Sequence, residues 1–158
     1  MPTFETREQL SNYVTNVTLP EMEEYLREFS QEELVQALRD NVYNGNQGSY
    51  DNTYSLLSAV DSKSLESKSG LKTDIEITTL IDPKLMDYDY GSYYENGKED
   101  NRENIVDWLN NGHGGFYKGY SINYTGRQFI EKAQKIINKT GKSRLSKYLK
   151  MIGYKIGK

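Results

Sequence analysis

The chain has one histidine, His113, and no cysteine. Multi-histidine metal sites, thiolate sites and disulfides are therefore excluded. His113 lies within Gly112-His-Gly-Gly115, with no neighbouring carboxylate in sequence to orient its imidazole as a general base. Its spacing predicts an ordinary loop residue. Asp87, Asp89 and Glu95 offer hard oxygen donors suited to Ca²⁺ or Mg²⁺, but the EF-hand spacing is absent. The carboxylates of Glu21, Glu23, Glu24, Glu28, Glu32 and Glu33 crowd one amphipathic stretch. Catalytic work would require them buried or paired in a cleft, whereas their pattern is that of a solvated helix face. The glycines of Asn44-Gly-Asn-Gln-Gly48 are not followed by Gly-Lys-Ser/Thr, so they form no phosphate cradle. These features predict a protein that is not an enzyme, with no catalytic residue, no bound metal and no cofactor.

Two other groups of side chains are suited to recognition. Tyr88, Tyr90, Tyr93 and Tyr94 cluster within Tyr88-Asp-Tyr-Gly-Ser-Tyr-Tyr-Glu-Asn-Gly97. Tyrosines can stack nucleobases, and they serve equally well in protein interfaces, where the ring buries area and the hydroxyl finds a partner. Asp87, Asp89 and Glu95 would repel phosphate, which favours the protein interface. The second group is basic. From Arg127 to Lys158 there are ten Lys/Arg and one acid, Glu131, a net of +9; residues 1–126 carry the other ten basic residues and 22 acids, a net of −12. The overall charge of −3 conceals this polarity. Lys132, Lys135 and Lys139 fall on one side of a helical stretch and suit an acidic partner, which neighbouring copies of the chain would supply. A plain solvated face is the competing reading.

The elements that position these residues follow from periodicity. Phe4–Val17 is a weak helix or arm. Thr18-Leu-Pro-Glu21 and Ser30-Gln-Glu-Glu33 each read as a capping box, so a helical pair is expected over Leu19–Tyr43. Its apolar faces are Met22, Tyr25, Leu26 and Phe29, then Leu34, Ala37, Leu38 and Val42. Thr53–Val60 turns Leu56, Leu57 and Val60 inward. Asp61–Gly70, rich in serine and lysine, reads as a loop. Leu71–Asp82 alternates as a half-buried strand that Pro83 stops, with Tyr88–Glu95 as its expected antiparallel partner. Asn101–Asn111 is a helix with Ile105, Trp108 and Leu109 on one face, closed by Gly112 in a left-handed conformation. Phe116–Tyr124 supplies a third strand with a bulge at Gly119. A basic helix starts at Arg127, carries Phe129, Ile130, Ala133, Ile136 and Ile137 as an apolar stripe, and stops at Gly141. Lys142–Lys158 reads as a short helix and a terminal strand.

At 158 residues with 35% hydrophobic and 27% charged side chains, one domain with a modest core is expected over 1–158. Residues 1–49 form an N-terminal helical region and 50–158 an α+β core. The modest apolar fraction suggests that some Tyr and Ile surface is buried only on assembly. No apolar run has the length of a membrane span, and the N-terminus lacks a signal peptide's basic and apolar regions.

Several segments in this order and spacing resemble the HK97 gp10-like family of tailed-phage neck and tail-completion proteins. Tyr93-Tyr94-Glu95-Asn96-Gly97 is similar to the family's Tyr-Val-Glu-x-Gly strand end. Arg127-Gln-Phe-Ile-Glu-Lys-Ala133 is similar to its Pro-Phe-Leu/Ile helix start, with Gln128 where the family has proline. Thr53-Tyr-Ser-Leu-Leu-Ser-Ala-Val60 is similar to its Thr-Gly-x-Leu-x-x-Ser-Ile segment, with Tyr54 in place of a glycine. The resemblance implies a virion neck component that joins the head connector to the tail in a ring, after a stay in the host cytoplasm. Its partners would be other copies of itself and neighbouring connector or tail proteins, with packaged DNA passing the lumen. The alternative from the residues themselves is a nucleic-acid-binding protein that uses the basic segment 127–158. The fold expected is α+β: an N-terminal helical pair, a small antiparallel sheet of three to four strands, and the basic C-terminal helix packed on it.

Overall fold

A computed structural model describes residues 2–44, 55–69, 72–85, 102–117 and 120–155. The fold is α+β and is centred on a helical rod. It begins at α1 (Arg7–Tyr13), where Thr6 Oγ1 accepts from the Gln9 amide at 3.2 Å and the Gln9 side chain accepts from the Thr6 amide. This reciprocal cap satisfies amides that the first turn leaves without helical partners. A π-helical turn, Val14–Thr18, leads directly into α2 (Leu19–Leu38), and a second one, Arg39–Tyr43, ends the rod.

The expected break at Ser30 does not occur, so one long helix stands where a helical pair was expected. Between Glu21 and Tyr43 there is no glycine or proline, and a helix under way gains a hydrogen bond with each added residue. Ser30 is buried and its Oγ donates back to the Leu26 carbonyl at 2.7 Å, the in-helix alternative to capping. Thr18 likewise does not cap. It lies in helical conformation with its hydroxyl directed elsewhere.

After the short helix α3 (Ser55–Ser58), β1 (Val60–Ser69) and β2 (Lys72–Ile81) pair antiparallel, from Val60 opposite Ile81 to Ser69 opposite Lys72. The alternation expected of β2 holds: Ile75, Ile77, Thr79 and Ile81 are partly or fully buried, whereas Asp74, Glu76 and Thr78 are exposed. Its partner is the serine-rich stretch expected to be a loop. Tyr88–Glu95, the partner expected, lies outside the described residues. Ser62 is buried and its hydroxyl shares a 2.8 Å hydrogen bond with that of Thr79 across the ladder. Ser64 Oγ donates to the Glu23 carboxylate on α2. Short hydroxyls thus line the covered face of β1, and Ser62 and Ser64 each have a partner there, as buried hydroxyls require.

The second half starts with α4 (Arg102–Asn111), which matches its expected span. Gly112 follows at φ 89°, as its place after the helix requires. The chain then forms a second antiparallel pair, β3 (Gly112–Tyr117) and β4 (Tyr120–Thr125). The glycine cluster and its His113 are therefore strand, not loop, and His113 stands opposite Tyr124. The described strands make two separate two-stranded sheets instead of one of three or four.

The C-terminal helix α5 runs from Phe129 to Met151, straight through Gly141. A Cβ at Gly141 would sit 3.6 Å from the Phe29 ring, so the position faces α2 and packing offsets the ~1 kcal/mol helix penalty of glycine. The true stop is Gly153 at φ 102°, where the Tyr154 amide donates to Leu149 and that of Gly153 to Lys150. This paired pattern is a Schellman close. It replaces the expected terminal strand over the residues described.

Helix α5 lies antiparallel along α2, not across a sheet. Tyr148 stacks on Tyr25 with ring centroids 4.2 Å apart, and Arg144 covers Phe29 while pairing with Glu33 at 3.1 Å. The β1–β2 hairpin also packs on α2. The core gathers at one end of this layer: Leu34, Ala37, Leu38 and Val42 from the rod, Leu56 and Ala59, Ile81 of β2, and Phe129 with Ala133 of α5. Trp108, Val106 and Leu109 of α4 close it from the side, each half-buried.

Candidate assembly surface

The start of α5 is held by a neighbouring helix end instead of its own cap. Gln128 precedes it at φ 51°, a left-handed conformation that offers no side-chain cap. Buried Asn110, at the end of α4, supplies one instead. Its Oδ1 accepts from the Ile130 amide at 3.0 Å, its Nδ2 donates to Glu131 at 3.0 Å, and its backbone carbonyl accepts from the Gln128 amide at 2.9 Å. This close docking requires Gly126, where a Cβ would fall 2.4 Å from the Asn111 carbonyl carbon. Arg127 is thereby directed at the end of the rod, donating to the Val42 carbonyl at 2.7 Å. A cation there meets carbonyls without helical partners and the negative end of the helix dipole.

Lys132 joins the same junction: its Nζ donates to Asn41 Oδ1 and, at 2.9 Å, to the Arg127 carbonyl. Of the three lysines singled out in the sequence, one thus has a structural task, whereas Lys135 and Lys139 are exposed on the solvent side of α5. Because the helix continues past Gly141, their row extends to exposed Lys142 and Lys150. The spacing of three, four and three residues from Lys132 to Lys142 keeps them on one side. From Lys132 to Lys150 the row spans about 27 Å. The only acid on α5 is Glu131, which Asn110 engages. A helix stop at Gly141, as the sequence suggests, hides Lys142 and Lys150, whose spacing alone places them on the same side.

Helix α2 carries the opposite charge. Glu24, Glu28 and Glu32 are exposed along it, with half-buried Glu21 one turn earlier. Their field reaches α5: partial burial pushes the Tyr148 phenol above its ordinary pKa of 10.0, and Glu21, Glu24 and Glu28 push it further. Past Tyr148, the Tyr154 hydroxyl shares a 2.8 Å hydrogen bond with Thr18 Oγ1 and donates to the Tyr13 hydroxyl at 3.4 Å. That bond raises the Tyr13 pKa, helped by partial burial.

Tyr88, Tyr90, Tyr93 and Tyr94 lie outside the described residues, as do Asp87, Asp89 and Glu95. Among the described residues no group of three or more His, Asp or Glu side chains is placed to hold a metal ion, and no helix is long and apolar enough to cross a membrane. An open groove of about 510 Å³ between the two helices is walled by Gln31, Glu32, Glu33, Gln36, Arg39 and Arg144. Of its carboxylates, Glu32 is exposed to solvent and Glu33 pairs with Arg144.

Comparison with known families matches residues 6–151, from the cap of α1 to the last turn of α5, with YomN. The chain belongs to the YomN family. That family is named after a protein of a Bacillus phage region, so this is a phage-related protein. The YomN match spans the rod, both hairpins and the basic helix; it does not extend to the HK97 gp10-like family that the sequence resembles. No curated protein and no solved structure matches the chain.

Proposed function

We propose that this protein is a non-catalytic structural component of a tailed-phage particle, a neck or tail-completion piece that helps join the head connector to the tail. The observation that carries the reading is the charge arrangement of the two long helices. A lysine row runs the length of α5 and a glutamate row lies on α2, both exposed. Extended complementary surfaces of this kind suit assembly, where charge steers encounter and fixes register. The phage-related family and the resemblance to neck proteins support the same role. The partners in this reading are further copies of the chain and adjoining connector or tail proteins. The protein waits in the host cytoplasm and ends in the virion.

A phage whose copy of this gene is interrupted tests the proposal. The expected product is filled heads and finished tails that remain unjoined, rescued by supplying the protein in trans. Normal yields of infectious particles would remove the neck role. The same lysine row also favours a second reading, binding of nucleic acid. Affinity for free duplex DNA that falls steeply with salt, in a protein absent from particles, would put that reading first.

A further inference from the structure

The two charged rows match in spacing as well as in sign. Lys132, Lys135 and Lys139 follow one another by three and four residues, and so do Glu21, Glu24 and Glu28. Lys142 and Glu32 extend the rows by a further turn. Within one molecule the rows do not pair. The side of α5 that meets α2 is marked by Gly141, Arg144 and Tyr148, and the exposed lysines lie on its other side. We infer that the lysine row of one copy docks on the glutamate row of a second copy, side by side along about 15 Å of helix.

The contact joins two different surfaces, so each copy keeps one free row of each sign. Such heterologous contacts propagate and close into a ring where the rotation permits. A second copy fits better than duplex DNA because the chain outside 127–158 carries −12, which repels phosphate yet supplies the counter-surface. Lys132 contributes least, being already engaged by Asn41 and the Arg127 carbonyl. The inner positions Lys135, Lys139 and Lys142 therefore dominate.

The inference rests on the reading of the chain as an assembly component, and sedimentation of the full-length protein tests it separately. At about 50 mM salt the wild type should associate with rising concentration, and at about 500 mM salt screening should disperse it. K135E/K139E/K142E should weaken association at least tenfold while circular dichroism stays unchanged, as should E24K/E28K/E32K. A chain carrying both sets, with each row inverted, should associate again. A wild type that stays monomeric at low salt, a lysine variant that associates normally, or a doubly inverted chain that stays apart overturns the inference. So does a lysine variant whose only defect is lost binding to a 30-base-pair DNA duplex. Particle content separates the two claims: incorporation without self-association sinks this contact alone, and self-association without incorporation sinks the neck role alone.

Discussion

The α2–α5 pair is built differently at its two ends. Where the rod finishes and α5 begins, Phe129, Leu38 and Leu56 are fully buried, and Asn110 and Arg127 tie three chain segments together. At the opposite end the helices meet through stacked tyrosines, a Thr18–Tyr154–Tyr13 hydroxyl chain and half-buried side chains. Apolar area removed from water supplies most folding free energy, whereas hydrogen bonds net little against water. The first end should therefore hold the fold and the second should tune it. Lys135, Lys139 and Lys142 lie on the solvent side of α5, away from both ends, so they can be changed without disturbing the core.

Substitutions can break this contrast, starting with the largest effect. Phe129→Ala removes a fully buried ring and should cost about 3–5 kcal/mol in urea unfolding. A loss under about 1 kcal/mol would move the centre of stability away from this end. Gly126→Ala drives a methyl into the Asn111 backbone and should cost about 1–3 kcal/mol, read as a lowered unfolding midpoint. Asn110→Ala takes the cap from α5, and about 1–2 kcal/mol should follow, with increased amide exchange at Ile130. Tolerance of both changes would mean that α5 is not anchored by α4.

The aromatic end should show itself by pH. The raised phenols of Tyr148 and Tyr13 mean that the folded chain prefers them neutral. Their contribution is whole below the ordinary value of 10.0 and is lost as pH climbs through the raised values, when the phenolates form. Tyr148→Phe should leave neutral-pH stability almost unchanged and lessen the decline above about pH 10. An identical alkaline decline in variant and wild type would separate that end from the α2–α5 contact.

Much of this was legible in the sequence, and the failures share a cause. The apolar row Leu34–Val42, with Phe129 and Ala133, showed the core because burial is its only use, and alternation showed β2 for the same reason. Ile130 and Ile136, expected on the same stripe of α5, are exposed because α5 turns only one narrow side toward α2. Ser30, Gly141 and the run from Asp61 to Ser69 misled because local propensity was read where tertiary contact decides. Ser30 bonds backward, Gly141 packs on Phe29, and the serines of β1 find hydroxyl and carboxylate partners. Asn110 gave no signal, since a cap supplied from another helix has no fixed sequence offset. The lysine side of α5 was visible through its charge, but its length was hidden behind the glycine taken as a stop. Lys132 looked like surface until the end of the rod was seen beside it.

Purified phage particles imaged with an antibody against this protein test whether it sits at the neck. Label is expected at the junction between head and tail, present on each intact particle and absent from free heads that lack the neck. Label spread over the capsid or tail, or no label on particles while the protein stays in the lysate, would contradict it.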